Sequence, residues 1–320
     1  VVLTDGRIVI TGGAGFLGRY VRRELEKTVP HENILIPLFY DYDLTNQNDV
    51  VRMYRDMRPT VVIHLAADFG GIGYNTANPG LTFHSNLAMG LHLVEYARVF
   101  GVKKFVQAGS VCSYPKNAPL PFNEDNLWDG YPDENNAPYG IAKKAISAML
   151  PYYRKQYGFN GISIMLTNLY GCCDDFSPEA SHVIPALIKK FSEAVEARSD
   201  EVAIWGTGTA SRDFLHVEDA ARGIVLATKG YDGYLPVNLA TGVEVTIKEV
   251  TEKLKDISGF KGKLVWDSTK PDGQPRRVID NKRAKLFGFT AEKTFDKELE
   301  SVYNWWNDND TISNSLYGGV

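Results

Sequence analysis

Apolar residues in this chain fall into two rhythms. Short β-branched or aliphatic runs recur at Arg7-Ile8-Val9-Ile10-Thr11, Ile34-Leu35-Ile36-Pro37-Leu38-Phe39, Val61-Val62-Ile63-His64-Leu65-Ala66-Ala67, Lys104-Phe105-Val106-Gln107-Ala108 and Ile162-Ser163-Ile164-Met165-Leu166. Their length and composition predict buried strands, the second made imperfect by Pro37. Between them run helical patterns: one through Tyr20, Val21 and Leu25, one from about Pro79 to Phe100, and one beginning near Ala137. Strands alternating with helices predict an α/β fold, a doubly wound parallel sheet covered on both faces. Ligands of such sheets bind beyond the carboxyl ends of the strands.

After about Phe176 the rhythm changes. Helices and loops alternate with short strands such as Val202-Ala203-Ile204-Trp205 and Lys263-Leu264-Val265-Trp266, while Val237-Asn238-Leu239 reads as a return to the main sheet. The expected organisation is a first unit over residues 1–175, with 212–240 returning to it. A smaller interleaved unit covers 176–211 and 241–306, and 307–320 is a polar tail expected to be disordered.

Composition narrows the class of function. The chain has 320 residues, 44% of them hydrophobic, and a net charge of −4 with mixed signs. No basic stripe suggests nucleic acid, and no apolar run reaches membrane-spanning length. Without a signal-peptide-like apolar core near Val1, a soluble cytoplasmic protein is expected. Cys112, Cys172 and Cys173 form no C-x-x-C pair, so neither a disulfide framework nor a metal site is expected.

Candidate chemistry lies at the strand ends. Gly12, Gly15 and Gly18 follow the first strand and open a helix. In that position glycines permit a tight turn, close approach of a pyrophosphate and close helix–strand packing, with the phosphate at the positive helix terminus. Phe16 and Leu17 share this loop; Asp43 and Leu44 stand where an acidic contact to a ribose or adenine is needed, and Ala66 and Ala67 are small enough for a dinucleotide to cross the third strand end. His64, inside a strand, reads as a hydrogen-bonded core histidine. Tyr139 and Lys143, four apart at a helix start, share a helix face. An ammonium there is expected to lower the phenol's pKa from about 10, making a proton-transfer group. Gly109-Ser110-Val111-Cys112-Ser113 and Thr167-Asn168-Leu169-Tyr170-Gly171 end the strands on either side of that helix in sequence, so Ser110, Tyr139 and Lys143 can converge.

These residues resemble the extended short-chain dehydrogenase/reductases that act on nucleotide sugars, which carry a Rossmann sheet. Gly109 to Lys116, Thr167 to Gly171 with Asp174-Asp175-Phe176, Ser181 to Ile188, Trp205 to Gly208 with Arg212 to Val217, and Lys270 to Arg276 resemble the GDP-L-fucose synthases in particular, to about residue 306. The resemblance implies epimerisation of GDP-4-keto-6-deoxy-D-mannose at C3 and C5, then reduction at C4 with NADP(H). It implies catalytic roles for Ser110, Cys112, Tyr139, Lys143 and His182. It also implies contacts to the substrate from Asn168, Lys190, Trp205, Arg212 and Arg276, and a homodimer. Val111, Ser113, Leu166 and Cys172-Cys173 depart from the family pattern, and Ala14 and Pro37 replace arginines that bind a 2′-phosphate in bacterial members, which leaves NAD(H) open. Alternative readings are another nucleotide-sugar 4-ketoreductase or epimerase, for example on a heptose, and a non-catalytic dinucleotide sensor.

Overall fold

A computed structural model describes residues 1–177, 181–270 and 272–316. Pro271 of the Lys270–Arg276 segment and residues 317–320 of the expected tail lie outside the described residues. In chain order the first half holds β1 (Ile8–Thr11), α1 (Phe16–Glu26), β2 (Ile34–Leu35), α2 (Gln47–Met57), β3 (Val61–His64), α3 (Ile72–Ala77), α4 (Pro79–Val99), β4 (Lys104–Ser110), α5 (Ala137–Tyr157) and β5 (Gly161–Leu166). The second half holds β6 (Asn168–Tyr170), α6 (Val183–Glu196), β7 (Glu201–Trp205), β8 (Ser211–Arg212), β9 (Phe214–His216), α7 (Val217–Gly230), β10 (Val237–Leu239), β11 (Val245–Thr246), α8 (Ile247–Ser258), β12 (Lys263–Asp267) and α9 (Phe295–Leu316).

A six-stranded sheet of order β10-β5-β4-β3-β1-β2 has every pair parallel. Alternate side chains of a strand point to opposite faces, and that period divides the sheet's apolar residues between two cores. Ile8, Ile10, Val61, Ile63, Val106, Ile162 and Ile164 pack with Val21, Leu25 and Ile224 of α1 and α7. Val9, Val62 and Phe105 pack with Val50, Leu93 and Ile146 of α2, α4 and α5 on the other face. This is the doubly wound arrangement expected from the strand–helix alternation.

The structure differs from these expectations at two places. β2 is only Ile34–Leu35, shorter than the expected run to Phe39, because proline supplies no N–H to continue a ladder. Leu38, Phe39 and Tyr40 are exposed beyond it. The expected tail from 307 is helical as far as Leu316, since α9 continues past the polar run that begins at Asn307. A further core joins Ile184, Leu187, Ile188 and Phe191 of α6 to Val202 and Ile204 of β7, Val250 and Leu254 of α8, and Leu299, Val302 and Trp306 of α9. Among the described residues no helix is long and apolar enough to cross a membrane.

Candidate active site

One cavity of about 1800 Å³ runs from the glycine loop to the α6–β7 region. At its first end the chain turns sharply after β1, with Gly12 at φ +70°. A Cβ there would lie 2.7 Å from the Ala66 amide nitrogen, and one at Gly18 would lie 2.6 Å from Gly13 Cα. The loop therefore has the close packing that only glycine allows. Gly15 caps α1 without a side-chain hydrogen bond, so the first amides of the helix are left for a ligand. Gly12, Gly15, Phe16, Leu17, Gly18, Asp43, Leu44, Ala66 and Ala67 all line the cavity. A dinucleotide fits this cradle. Asp43 is partly engaged, its Oδ1 accepting from Thr45 N at 2.9 Å and Thr45 Oγ1 at 2.7 Å. His64 is buried and paired with Thr11 Oγ1 at 2.8 Å, as the sequence suggests for a core histidine.

Ala14 and Pro37 also line this end. The lining cations among the described residues are Lys143, Lys189, Lys190, Arg212 and Arg277, and none comes from the glycine loop or the segment after β2. Arg19 turns its Nε to the Ala14 carbonyl oxygen at 2.8 Å.

At the middle of the cavity, the end of β4 meets the start of α5. Ser110 Oγ accepts the Cys112 N–H at 3.1 Å, and Ser113 Oγ donates to the Gly140 carbonyl at 2.8 Å. Gly140 allows the contact, since a Cβ there would lie 2.9 Å from the Cys112 carbonyl carbon and closer still to its oxygen. The loop thereby brings Ser110 and Cys112 to the helix that carries Tyr139 and Lys143. Cys112 and Tyr139 belong to one buried apolar cluster. Lys143 Nζ is 5.7 Å from the Tyr139 ring centre, is buried, and has no hydrogen-bond partner among the described residues. Burial lowers its pKa to about 8. Burial, with the Cys112 thiol a smaller contributor, pushes the Tyr139 phenol above its ordinary value. The lowering expected from Lys143 is not found, and burial holds Tyr139 as the neutral phenol, the form that donates a proton.

His182 precedes α6 and faces the open cavity, so its surface is accessible although walls crowd it on most sides. That enclosure lowers its pKa, and Asp175 opposes the shift. Phe69 connects the groups: its ring stacks on Tyr139 with centres 4.0 Å apart and lies 5.9 Å from the His182 ring. Asp174 is buried, its Oδ2 lacks a partner among the described residues, and burial raises its pKa to about 7.

Towards the second end, Arg212 donates to the Ser211 and Gln274 carbonyls, each at 2.7 Å, while burial and then Arg277 lower its pKa to about 9. Arg277 Nη1 lies 3.8 Å from Cys112 Sγ, and its Nε donates to Gln274 Oε1 at 2.7 Å. Neither guanidinium forms an ion pair with a carboxylate among the described residues, which leaves both available to an anion. Asn168, Lys190 and Trp205 line the same wall. The Trp205 ring is exposed, with Lys190 and Lys270 ammonium groups each 5.4 Å from its centre.

The structure does not bring Arg276 to the cavity. Its guanidinium is outside, bonded to both Glu244 oxygens at 2.7 and 2.6 Å. The Pro275 carbonyl and the Arg277 amide both pair with Ser211, so this stretch is extended beside β8 and neighbouring side chains alternate in direction. Arg277 therefore points in where Arg276 points out. The sequence shows two adjacent arginines, and only that pairing distinguishes them. Phe69 was also missed, and no local sequence signal marks it.

Residues 8–239 match the model of the NAD dependent epimerase/dehydratase family. The chain is 41% identical over 305 residues to a putative GDP-L-fucose synthase 2 of Arabidopsis thaliana, covering 95% of this chain and 93% of the relative. Among solved structures it resembles a GDP-L-fucose synthetase from Naegleria fowleri bound to NADP, with a TM-score of 0.85, 27% identity, and 97% of each chain covered. It also resembles a GDP-6-OMe-4-keto-L-xylo-heptose reductase from C. jejuni, with a TM-score of 0.87, 26% identity, and 97% of this chain and 99% of the other covered. The chain belongs to the NAD dependent epimerase/dehydratase family, among the relatives of GDP-L-fucose synthase.

Proposed function

We propose that the protein is an epimerase-reductase of a GDP-linked 4-keto-6-deoxy sugar, inverting C3 and C5 and reducing C4 to give GDP-L-fucose or a close relative. The observation that carries this reading is the meeting of Cys112, backed by the Arg277 cation, with Tyr139 and His182 in one cavity whose far end is a glycine cradle. A plain reductase needs Tyr139 and Lys143 alone; the thiol and imidazole add a base and an acid for carbon. In the organisation proposed, residues 1–175 and 212–240 take the cofactor, and 176–211 with 241–306 take the sugar. Likeness to the NADP-bound Naegleria synthetase favours NADP(H). A cytoplasmic homodimer rests on the family resemblance.

A 4-keto group acidifies the hydrogens on C3 and C5. Cys112 and His182 act as the proton-moving pair: one removes a proton from carbon, the electron pair moves to the C4 oxygen, and the other returns a proton on the opposite face. Ser110 and Tyr139 hold that oxygen. When bound, the nicotinamide cofactor supplies a hydride to C4. Tyr139 gives its proton to the C4 oxygen at that step, and the Lys143 ammonium stabilises the phenolate left behind and holds the cofactor ribose. Arg212 neutralises the diphosphate, with Lys190 and Asn168 nearby, and Trp205 offers a face to the base.

The test is NMR of the product made from GDP-4-keto-6-deoxy-mannose and NADPH in deuterated water. The reading expects GDP-L-fucose with deuterium at C3 and C5. Reduction without exchange at either carbon refutes the epimerase half. Likeness to the C. jejuni heptose reductase supports a second reading, reduction of a GDP-4-keto heptose, which the same assay with that sugar would reveal.

A further inference from the structure

Phe69 stands five residues beyond the end of β3 and is held with unusual care. Asn86, buried in α4, accepts the Asp68 N–H on Oδ1 at 3.2 Å and donates Nδ2 to the Asp68 carbonyl at 2.7 Å. Asn75, buried in α3, does the same for Gly70, at 3.3 and 2.8 Å. Tyr74 Oη adds a bond to Asp68 Oδ1 at 2.6 Å. A carboxamide paired with both the N–H and the C=O of one residue fixes that residue's backbone. Here the residues on both sides of Phe69 are fixed in this way. The ring is therefore a preset part of the cavity wall, half-buried, resting on the Tyr139 ring and leaning towards His182.

Resting on the reading of this cavity as a site for a GDP-linked 4-keto sugar, the geometry points to Phe69 as a specificity-determining residue whose ring packs on the deoxygenated C6. Tyr139 marks where the C4 oxygen sits, and His182 marks a neighbouring carbon. Phe69 is the apolar surface between those two markers. Of the carbons beside C4, C3 carries a hydroxyl and C5 carries C6. A hydroxyl pressed against a phenyl ring loses its water with no partner in exchange, whereas a methyl gains by the same contact. The ring thus suits the C5 side, favours a 6-deoxy sugar over one with an oxygen on C6, and guides C5 during inversion. An apolar pocket rejects an added hydroxyl by at most about 10²-fold, which sets the scale of the effect.

The experiment compares wild type, Phe69→Ala and Phe69→Leu in kcat/KM for cofactor oxidation. The substrates are GDP-4-keto-6-deoxy-mannose and a GDP-4-keto sugar that retains its 6-hydroxyl. Wild type is expected to prefer the deoxy sugar by about 10- to 100-fold. Phe69→Ala should lose most of that preference, and Phe69→Leu, which keeps an apolar side chain without the ring, part of it. In deuterated water Phe69→Ala should slow exchange at C5 more than at C3, a split that general loosening would not produce. Unchanged NADPH protection of Phe69→Ala against heat shows an intact fold; if that variant does not fold, Phe69→Leu decides. An unchanged sugar preference in the folded variants, or a wild-type preference for the hydroxylated sugar, overturns the role of Phe69. Turnover of neither sugar by wild type overturns the proposed function and this inference together.

Discussion

Gly140→Ala should disconnect the site while leaving the cofactor cradle intact. The added methyl would sit within 2.9 Å of the Cys112 carbonyl carbon and nearer still to its oxygen, whereas real Cβ atoms essentially never approach within 3.0 Å. Both partners are backbone, so no side chain can swing aside. The Ser110–Ser113 loop and α5 must part by an amount on the order of 1 Å, and a misplacement of that size can cost about 10² in turnover. Overpacking costs roughly 1–3 kcal/mol, opposed by up to about 1 kcal/mol from alanine's better helix propensity. A modest net loss of stability is expected. The assay is kcat for reduction of a GDP-4-keto sugar, alongside NADPH affinity and Tm. Gly80→Ala in α4 is the control, because a Cβ there meets nothing within 4 Å. If Gly140→Ala keeps kcat within threefold of wild type, the loop–helix contact does not set the catalytic geometry.

Four further outcomes are expected. Tyr139→Phe should lower the reduction rate by about 10²–10⁴ with cofactor binding nearly unchanged; near-normal turnover would remove Tyr139 from proton transfer. NADPH and NADH should give similar kcat/KM, because among the described residues no cation from the glycine loop or the segment after β2 lines the cavity. A several-hundredfold preference for NADPH would show a phosphate contact elsewhere, with Arg19 the first residue to examine. Cys112→Ala should still reduce a 4-keto sugar but release mainly product not inverted at C3 and C5, and wild-type deuterium exchange at both carbons would reduce Cys112 to packing. With its pKa near 8, Lys143 is charged below that pH and loses its proton above it. The kcat/KM profile should therefore fall on the alkaline side near pH 8, and Lys143→Arg, whose cation does not titrate there, should move that fall upward.

The parts of the site legible in the sequence are those whose geometry is local. Gly12, Gly15 and Gly18 follow a strand and open a helix within one turn of chain, so their spacing carries their purpose. Tyr139 and Lys143 need only the helical repeat. Residues governed by distant contacts were harder to read. The direction of Arg277 depends on pairing with Ser211 across the fold. The neutral state of Tyr139 follows from burial, which spacing does not report. Phe69 acquires its position from Asn75 and Asn86, whose clamps exist only after α3 and α4 have packed. At the level of fold, alternation gave the layers, while Pro37 and the polar run from Asn307 marked weak points whose outcome depended on the neighbours they met.

The order of the central sheet also has a consequence for biosynthesis. β5 lies inside the sheet only because β10 covers its outer edge, and β10 leaves the ribosome after α6 and α7 have been made. Until Val237 to Leu239 arrive, the nascent chain presents Ile164, Met165 and Leu166 on an open strand edge, their eventual partners not yet translated. An apolar edge of that kind invites pairing with another chain. The last step of sheet assembly is therefore a vulnerable interval for the growing polypeptide, and a stop anywhere between β5 and β10 would release a fragment with a ready template for aggregation.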